Sequence, residues 1–514
     1  MEMMAKRCSL CSESIVERGI QWLRANWVPF VFSFVTGFLT YGFALTNKLT
    51  NYDEVHSLFG KGATLESGRW GLDVLSHVFP DVSMPWLYGI ISLFFMGLSV
   101  CLVVRIFEIK RKVFQILLSG LIISFPSLIG TMAYMYTSAS YAVAFYLAVL
   151  AVWVLRGHRK WDAVLAGMLT IASLSIYQAY LAVAASFLVL LLLQRTLRHH
   201  KIKEILLQGV RSVLVLGCSM VVYYLITKVL QKVLQVPMGS YAKVNIDLGI
   251  SDLLSKVGYA YYHFLMFFVV EFRGLIPTAF SRVIHVVLMI ILGVIDLRWM
   301  FRTKKVSYIT LFLLLLGILP LSIGTMYLCI DHRTLHTLVM YSFVAVYVGA
   351  MILVEHHLDD GEKKNKSILA DLSAVCALLI VSTNISIGNQ AFLQMHLKYE
   401  NTYAFYTSLM SDLRRNETFA PGTKLAIIGD YDVPDHYEEN FSDLKRIMGV
   451  GGVEPTDYSN GEFVKYYLGV DIAFATGEEV AAIEATEEFQ QMACYPYHGS
   501  VQTIDGILVV KLSG

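Results

Sequence analysis

The stretch TNYDEVHSLFGKGATLESGRWGLDVL, residues 50–75, gathers Asp53, Glu54, His56, Glu66, Arg69 and Asp73 between two long apolar runs, 27–46 and 85–104. A run of that length suits a membrane-crossing helix, which needs about 20 apolar residues. The stretch then reads as a loop at a membrane surface, and the side on which it lies decides what it can do.

Composition agrees. Of 514 residues 56% are hydrophobic and 16% charged, against about 25% charged in soluble domains, and the mean hydropathy is +0.57. A soluble chain of this length could not hide so much apolar surface, so the sequence predicts an integral membrane protein. Net charge is +1, which names no partner class. Seven scattered cysteines form no disulfide framework. Cys8 and Cys11 make a lone CxxC without a second pair, too little for a zinc site. The first apolar run is too long and too late for a cleaved signal peptide and reads as a retained anchor.

Eleven segments qualify as spans: 27–46, 85–104, 114–131, 138–155, 161–177, 179–194, 210–230, 279–297, 306–327, 335–354 and 368–387. The apolar stretch YAYYHFLMFFVVEF, 259–272, is short and reads as re-entrant or interfacial. Basic residues set the orientation. With the N-terminus inside, cytoplasmic segments carry Lys6, Arg7, Arg18 and Arg24, then RIFEIKRK, RGHRK, RTLRHHKIK, RWMFRTKK and EKKNK. Outer loops 132–137 and 178 have no Lys or Arg, and 328–334 has Arg333 alone. The expected layout is a cytoplasmic N-terminus, 1–26, a polytopic membrane domain, 27–388, with outer loops 47–84 and 231–278, and an extracytoplasmic region, 389–514.

The last region has a soluble composition. KLAIIGDYD, 424–432, predicts a strand and turn, and DIAFAT, 471–476, a second strand. GEEVAAIEATEEFQQM, 477–492, predicts a helix with acidic residues at its start. SVQTIDGILVVKL, 500–512, predicts a hairpin turning at Asp505-Gly506. The fold class is therefore an α-helical polytopic membrane protein with a small C-terminal α/β domain. IIGD carries neither GxGxxG nor GxxxxGK[ST], so no nucleotide loop is read there.

Asp53 and Glu54 follow the first span directly. Partial burial at such a boundary raises a carboxylate's pKa and makes it a usable base. A planar arginine fork suits phosphate oxygens, and aromatic faces suit sugar rings. With His56, Glu66, Arg69 and Trp70 alongside, the loop has the residue types for moving a sugar from a lipid phosphate to a hydroxyl. The plain alternative is a wet polar loop, or a short helix lying on the membrane. SIYQAY, 175–180, sets Tyr177 and Gln178 at a tight outer turn, where they either bind substrate or cap helix ends. CIDHRTLH, 329–336, brings Asp331, His332, Arg333 and His336 to a helix mouth, as function or as a solvated turn. EFRGLIP, 271–277, adds Glu271 and Arg273.

The order of these features resembles the Gtr type II membrane glucosyltransferases of bacteria. The resemblance spans nearly the whole chain. It rests on Asn51-Tyr52-Asp53-Glu54 with Gly68-Arg69-Trp70, the SIYQAY turn, and the terminal YPYHGSVQTIDGILVVKL, 495–512. It implies a GT-C type fold in the cytoplasmic (inner) membrane. The implied reaction takes a hexose, often glucose, from a polyprenyl-phosphate donor to a surface polysaccharide such as O-antigen, on the outer face. The acidic residue of the first outer loop, expected to act as base, maps to Asp53, with Glu54 beside it. Inversion at the anomeric carbon follows from a β-linked donor. The phosphate would leave toward Arg69 or Arg333, with Arg273 a third candidate, while the isoprenoid lies near 259–272. Substrate contacts fall to His56, Glu66, Trp70, Tyr177, Gln178, Asp331 and His332. A donor synthase and a flippase are the expected protein partners, with no nucleic acid. No organic cofactor is called for. The family leaves a divalent metal open, and no ligand cluster here demands one.

Two other classes compete. A lipid-linked sugar transporter would place charge at mid-membrane and show repeated halves; the spans here are almost free of charge, and no repeat is evident. A polysaccharide polymerase or ligase shares the spans and outer chemistry but usually carries a large loop mid-chain.

Overall fold

Each predicted apolar segment is helical in the computed structural model. It describes residues 15–60, 62–80, 82–157, 159–239, 250–270, 274–276, 278–330, 335–359, 368–420 and 422–513. α1 (Ile15–Ala25) leads into α2 (Trp27–Thr46), and the first polar stretch holds α3 (Tyr52–His56) and α4 (Trp70–Ser76). There follow α5 (Pro85–Ile106), α6 (Lys112–Ile123), α7 (Pro126–Ala133), α8 (Met135–Leu155), α9 (Lys160–Ile176), α10 (Tyr180–Leu197) and α11 (Ile202–Val233). Then come α12 (Ile250–Met266), α13 (Ala279–Arg302), α14 (Val306–Ile323) and α15 (Thr325–Cys329). A 3-10 segment, Thr337–Val344, runs into α16 (Ala345–Asp359), and α17 (Ile368–Arg414) closes the helical part.

Among the described residues nine helices are long and apolar enough to cross a membrane, and α6 with α7, bent by 46°, makes a tenth. The chain is a multi-pass membrane protein. The expected total of eleven needs α9 as well, whose 17 residues sit at the short end of the spanning range. α12, also 17 residues, covers part of the stretch read as interfacial. It packs on α14 and α15 while Leu253, Leu254, Tyr262 and Leu265 stay exposed.

The bend between α6 and α7 has a clear cause. Pro126 has no N–H to give the carbonyl of Ile122, four residues earlier. A carbonyl so freed must find another donor where water is scarce. Two buried tyrosines supply it: the Tyr341 hydroxyl donates to the carbonyl of Ile122 and the Tyr41 hydroxyl to that of Ile123, each at 2.6 Å.

α8 separates two chemically different ends by about 31 Å. At its C-terminal end the basic connections meet, with Arg156 and Arg198 on Glu108 and Arg111 on Glu355. At its N-terminal end lie α3 and the C-terminal region. α17 runs unbroken through position 389 to Arg414, so the change in composition there falls within a helix.

Beyond α17 lies a four-stranded sheet: β1 (Lys424–Ile428), β2 (Ala473–Phe474), β3 (Val501–Ile504) and β4 (Ile507–Lys511). Its order is β2-β1-β4-β3, with β1 parallel to β2 and β4, and β3 antiparallel at one edge. The hairpin turns at Asp505 and Gly506, both at positive φ. α18 (Asn460–Tyr466) precedes β2. The predicted helix over 477–492 is two, α19 (Gly477–Glu484) and α20 (Glu487–Gln491), because Thr486 caps a new helix by accepting from the Phe489 N–H.

The first loop is packed onto this region. Val55 of α3 is fully buried in one apolar cluster with Tyr406, Leu409, Leu425 and Phe463. The segment after Leu444 inserts between the two parts: the Thr337 hydroxyl donates to the Arg446 carbonyl at 2.9 Å, and Asn51 Nδ2 to that of Gly449 at 3.2 Å. Gly449 has φ +89, and a Cβ there would strike the Tyr134 ring. Gly449→Ala is expected to cost about 1–2 kcal/mol from backbone conformation, before the clash is counted. The check is the thermal midpoint in detergent; an unchanged midpoint would show that the loop is not held against Tyr134.

Candidate functional site

α3 is one turn long, and its cap sets what its acids face. Asn51 accepts from the Glu54 N–H at 2.9 Å through Oδ1, while its amide donates to the carbonyls of Ala133 and Gly449. This holds Asp53 and Glu54 in different surroundings. Glu54 turns inward and is fully buried. Its carboxylate takes an ion pair from Lys48, the Ser83 hydroxyl at 2.7 Å and the Tyr136 N–H at 2.9 Å. Asp53 faces a cavity of about 1170 Å³.

The cavity has three walls. The first loop and the start of α8 give Asn51, Tyr52, Asp53 and Tyr134; α12 and its extension give Tyr262, His263, Met266 and Val270. The C-terminal region gives Asp430, Lys445, Arg446, the glycines 449, 451 and 452, Asp457 and Tyr458. The α12 side thus carries Met266 and Val270 beside Tyr262 and His263, and the C-terminal side carries most of the charge. Asp430 follows β1, at the carboxyl end of a parallel pair, where open α/β sheets usually present ligand groups. Asp457 accepts from the Gly429 N–H at 2.8 Å. The Tyr458 hydroxyl donates to Asp53 Oδ1 at 3.2 Å. Tyr52 donates to Glu454 at 3.2 Å; burial first, and then the Glu454 charge, push its phenol far above the usual range, so it stays a donor at neutral pH. Glu454 and Asp435 share Lys398.

The other expected site residues fall into four groups. His56 is beside Asp53, its ring stacked on Tyr458 at 4.7 Å and its Nδ1 3.6 Å from Glu462. Arg69, Trp70, Tyr177 and Gln178 meet in a second cluster that does not line the cavity. Arg69 donates to the Tyr141 hydroxyl at 3.0 Å and lies over the Tyr177 ring. Gln178 donates to the Ser67 carbonyl and the Tyr223 hydroxyl, each at 2.8 Å, and Trp70 to Thr227 at 3.2 Å. These contacts tie the first loop to α11 and to the turn before α10. Glu66 is exposed, its carbonyl accepting from the Gly239 N–H. Arg273, Asp331, His332 and Arg333, with Glu271, lie outside the described residues.

Sequence reasoning missed Lys445, Arg446, Asp430, Asp457, Tyr458 and His263, all of which line the cavity, as does His336, which the sequence places at a helix mouth. A local signal existed for the first two, a Lys-Arg pair followed within seven residues by Gly449, Gly451 and Gly452. Among the described residues no three His, Cys, Asp or Glu side chains converge on a metal position.

Residues 42–349 match the family model described as Glucosyl transferase GtrII. No curated protein and no solved structure matches the chain.

Proposed function

The chain belongs to the GtrII glucosyltransferase family, and from that premise we propose that it moves glucose from a polyprenyl-phosphate lipid to a cell-surface polysaccharide, with Asp53 as general base. One observation carries this reading: Asp53 shares a cavity with Lys445 and Arg446 on one side and with Met266 and Val270 on another. A polyprenyl-phosphate sugar needs cationic groups for its phosphate, an apolar side for its isoprenoid and a base near its anomeric carbon. All three kinds of group border the same space.

The acceptor hydroxyl lies against Asp53, which takes its proton as the oxygen attacks the anomeric carbon. The bond from that carbon to the phosphate oxygen breaks as the new one forms, and its electron pair leaves with the polyprenyl phosphate. Direct displacement inverts the centre. Lys445 and Arg446 offset the negative charge that grows on the leaving phosphate. Arg273 and Arg333 are proposed to join them, being three residues from cavity-lining Val270 and His336 in sequence. Arg69, bound to Tyr141 and Tyr177, is assigned instead to holding the first loop in place.

The proposed location is the cytoplasmic membrane, with the cavity on the outer face. The basic connections gather at the far end of α8 from the cavity, as expected if that end is cytoplasmic. The proposed layout keeps residues 1–26 inside and the region from 389 outside. A donor synthase inside and a flippase between leaflets are then required to supply the lipid.

The test is transfer by purified full-length protein in detergent, given polyprenyl-phosphate glucose, envelope polysaccharide and no nucleotide sugar. Radiolabelled glucose should appear in the polymer. Intact donor after prolonged incubation, or donor merely moved between leaflets in vesicles, would defeat the proposal.

A further inference from the structure

Next to the cavity-lining Tyr458, α18 meets α3 and the loop after it through charged and aromatic side chains. Tyr458 stacks on His56 and reaches Asp53 with its hydroxyl. Glu462, in the first turn of α18, meets His56. Tyr466, a further turn on, meets Phe59 edge to face at 5.1 Å. Glu462 and Tyr466 share a face of α18 because residues four apart do so on a helix, and Tyr458 sits in the turn just before that helix. The aromatics are not core residues: Tyr458 is 49% exposed, Tyr466 42% and Phe59 59%.

We propose that Tyr458, Glu462, Tyr466 and Phe59 form an acceptor track, on which the polysaccharide chain lies while one of its hydroxyls enters at Asp53. The inference rests on the proposed transfer reaction and deepens it. A sugar ring offers an apolar C–H face that packs on an aromatic ring, and hydroxyls around its edge that donate to a carboxylate. The track supplies both, rings at each end and Glu462 between them. It is continuous with the reaction centre, because Tyr458 both belongs to it and bonds the proposed base. A lipid tail would have no use for Glu462 or for the imidazole of His56.

The track predicts a dependence on acceptor length. Full-length protein in detergent is given polyprenyl-phosphate glucose and fragments of envelope polysaccharide sorted by size, with a monosaccharide as the short limit. For wild type, kcat/KM should rise with length over the first few sugars. In the double variant Phe59→Ala/Tyr466→Ala, the ratio of kcat/KM for long fragments to that for the monosaccharide should fall about tenfold. Tyr466→Phe, which keeps the ring, should restore most of the ratio. Phe59→Ala alone changes one exposed side chain and serves if the double variant does not fold. An unchanged ratio in these variants overturns the track. So does a loss seen equally for long and short acceptors in vesicles and absent in detergent, which would assign the rings to the bilayer surface. Wild type that transfers glucose to no acceptor at all takes down the underlying reaction as well, and is thereby distinct from either result.

Discussion

Asp53→Asn is expected to lower glucose transfer by about 10²- to 10⁴-fold, the usual contribution of a positioned base, without lowering the thermal midpoint. Asparagine keeps the shape of the side chain and still offers an oxygen to the Tyr458 hydroxyl, which is the bond that Asp53 makes in the structure. What it loses is the capacity to take a proton. The informative measurement pairs initial rates with the midpoint of the same preparation. A slow variant that also melts early would report a broken loop rather than a missing base, and a variant with wild-type rates would remove Asp53 from the mechanism.

The neighbouring acid should behave in the opposite way. Glu54→Ala is expected to destabilise the fold by about 3–5 kcal/mol, the penalty for stripping one partner from a buried ion pair. Glu54 is fully buried against Lys48, with Ser83 and the Tyr136 N–H completing its bonds. Removing it leaves the Lys48 ammonium, itself only partly exposed, and two further donors without their acceptor. Low yield of folded protein and a depressed midpoint are the expected readouts. If Glu54→Ala folds as well as wild type, the account of why Asp53 and Glu54 point apart is wrong.

The contrast between these adjacent acids shows what the sequence could and could not reveal. The acidic pair after the first span stood out in the sequence as a candidate, because charge is costly beside a bilayer and needs a reason to be there. Which of the two faces a cavity was not, since that is set by Asn51 capping a one-turn helix and by Lys48 waiting on the buried side. The spans were legible because twenty apolar residues have few other uses. Beyond residue 420 the hairpin was legible from Asp505-Gly506 and the strands from their apolar runs, whereas the cap at Thr486 that splits the expected helix over 477–492 in two was not. The far wall of the cavity was not. Lys445, Arg446 and Tyr458 border the same cavity as the first loop across about 400 residues of chain, and no local pattern encodes that approach. For Arg69, Tyr177 and Gln178 the residue types suited either sugar binding or loop anchoring. In the structure Arg69 and Gln178 bond within the fold, to Tyr141, Ser67 and Tyr223, and the Tyr177 ring stacks on Tyr141.

α17 has a mechanical meaning. One uninterrupted rod of 47 residues, about 70 Å long, starts among the apolar helices and ends against the sheet. It fixes the height and the rotational phase of everything attached beyond it. Adding a single residue midway would turn the attached part by about 100° and swing Lys445, Arg446 and Tyr458 off the first loop. The two halves of this protein are thus geared together, and neither can be lifted out as an independent unit with a whole cavity.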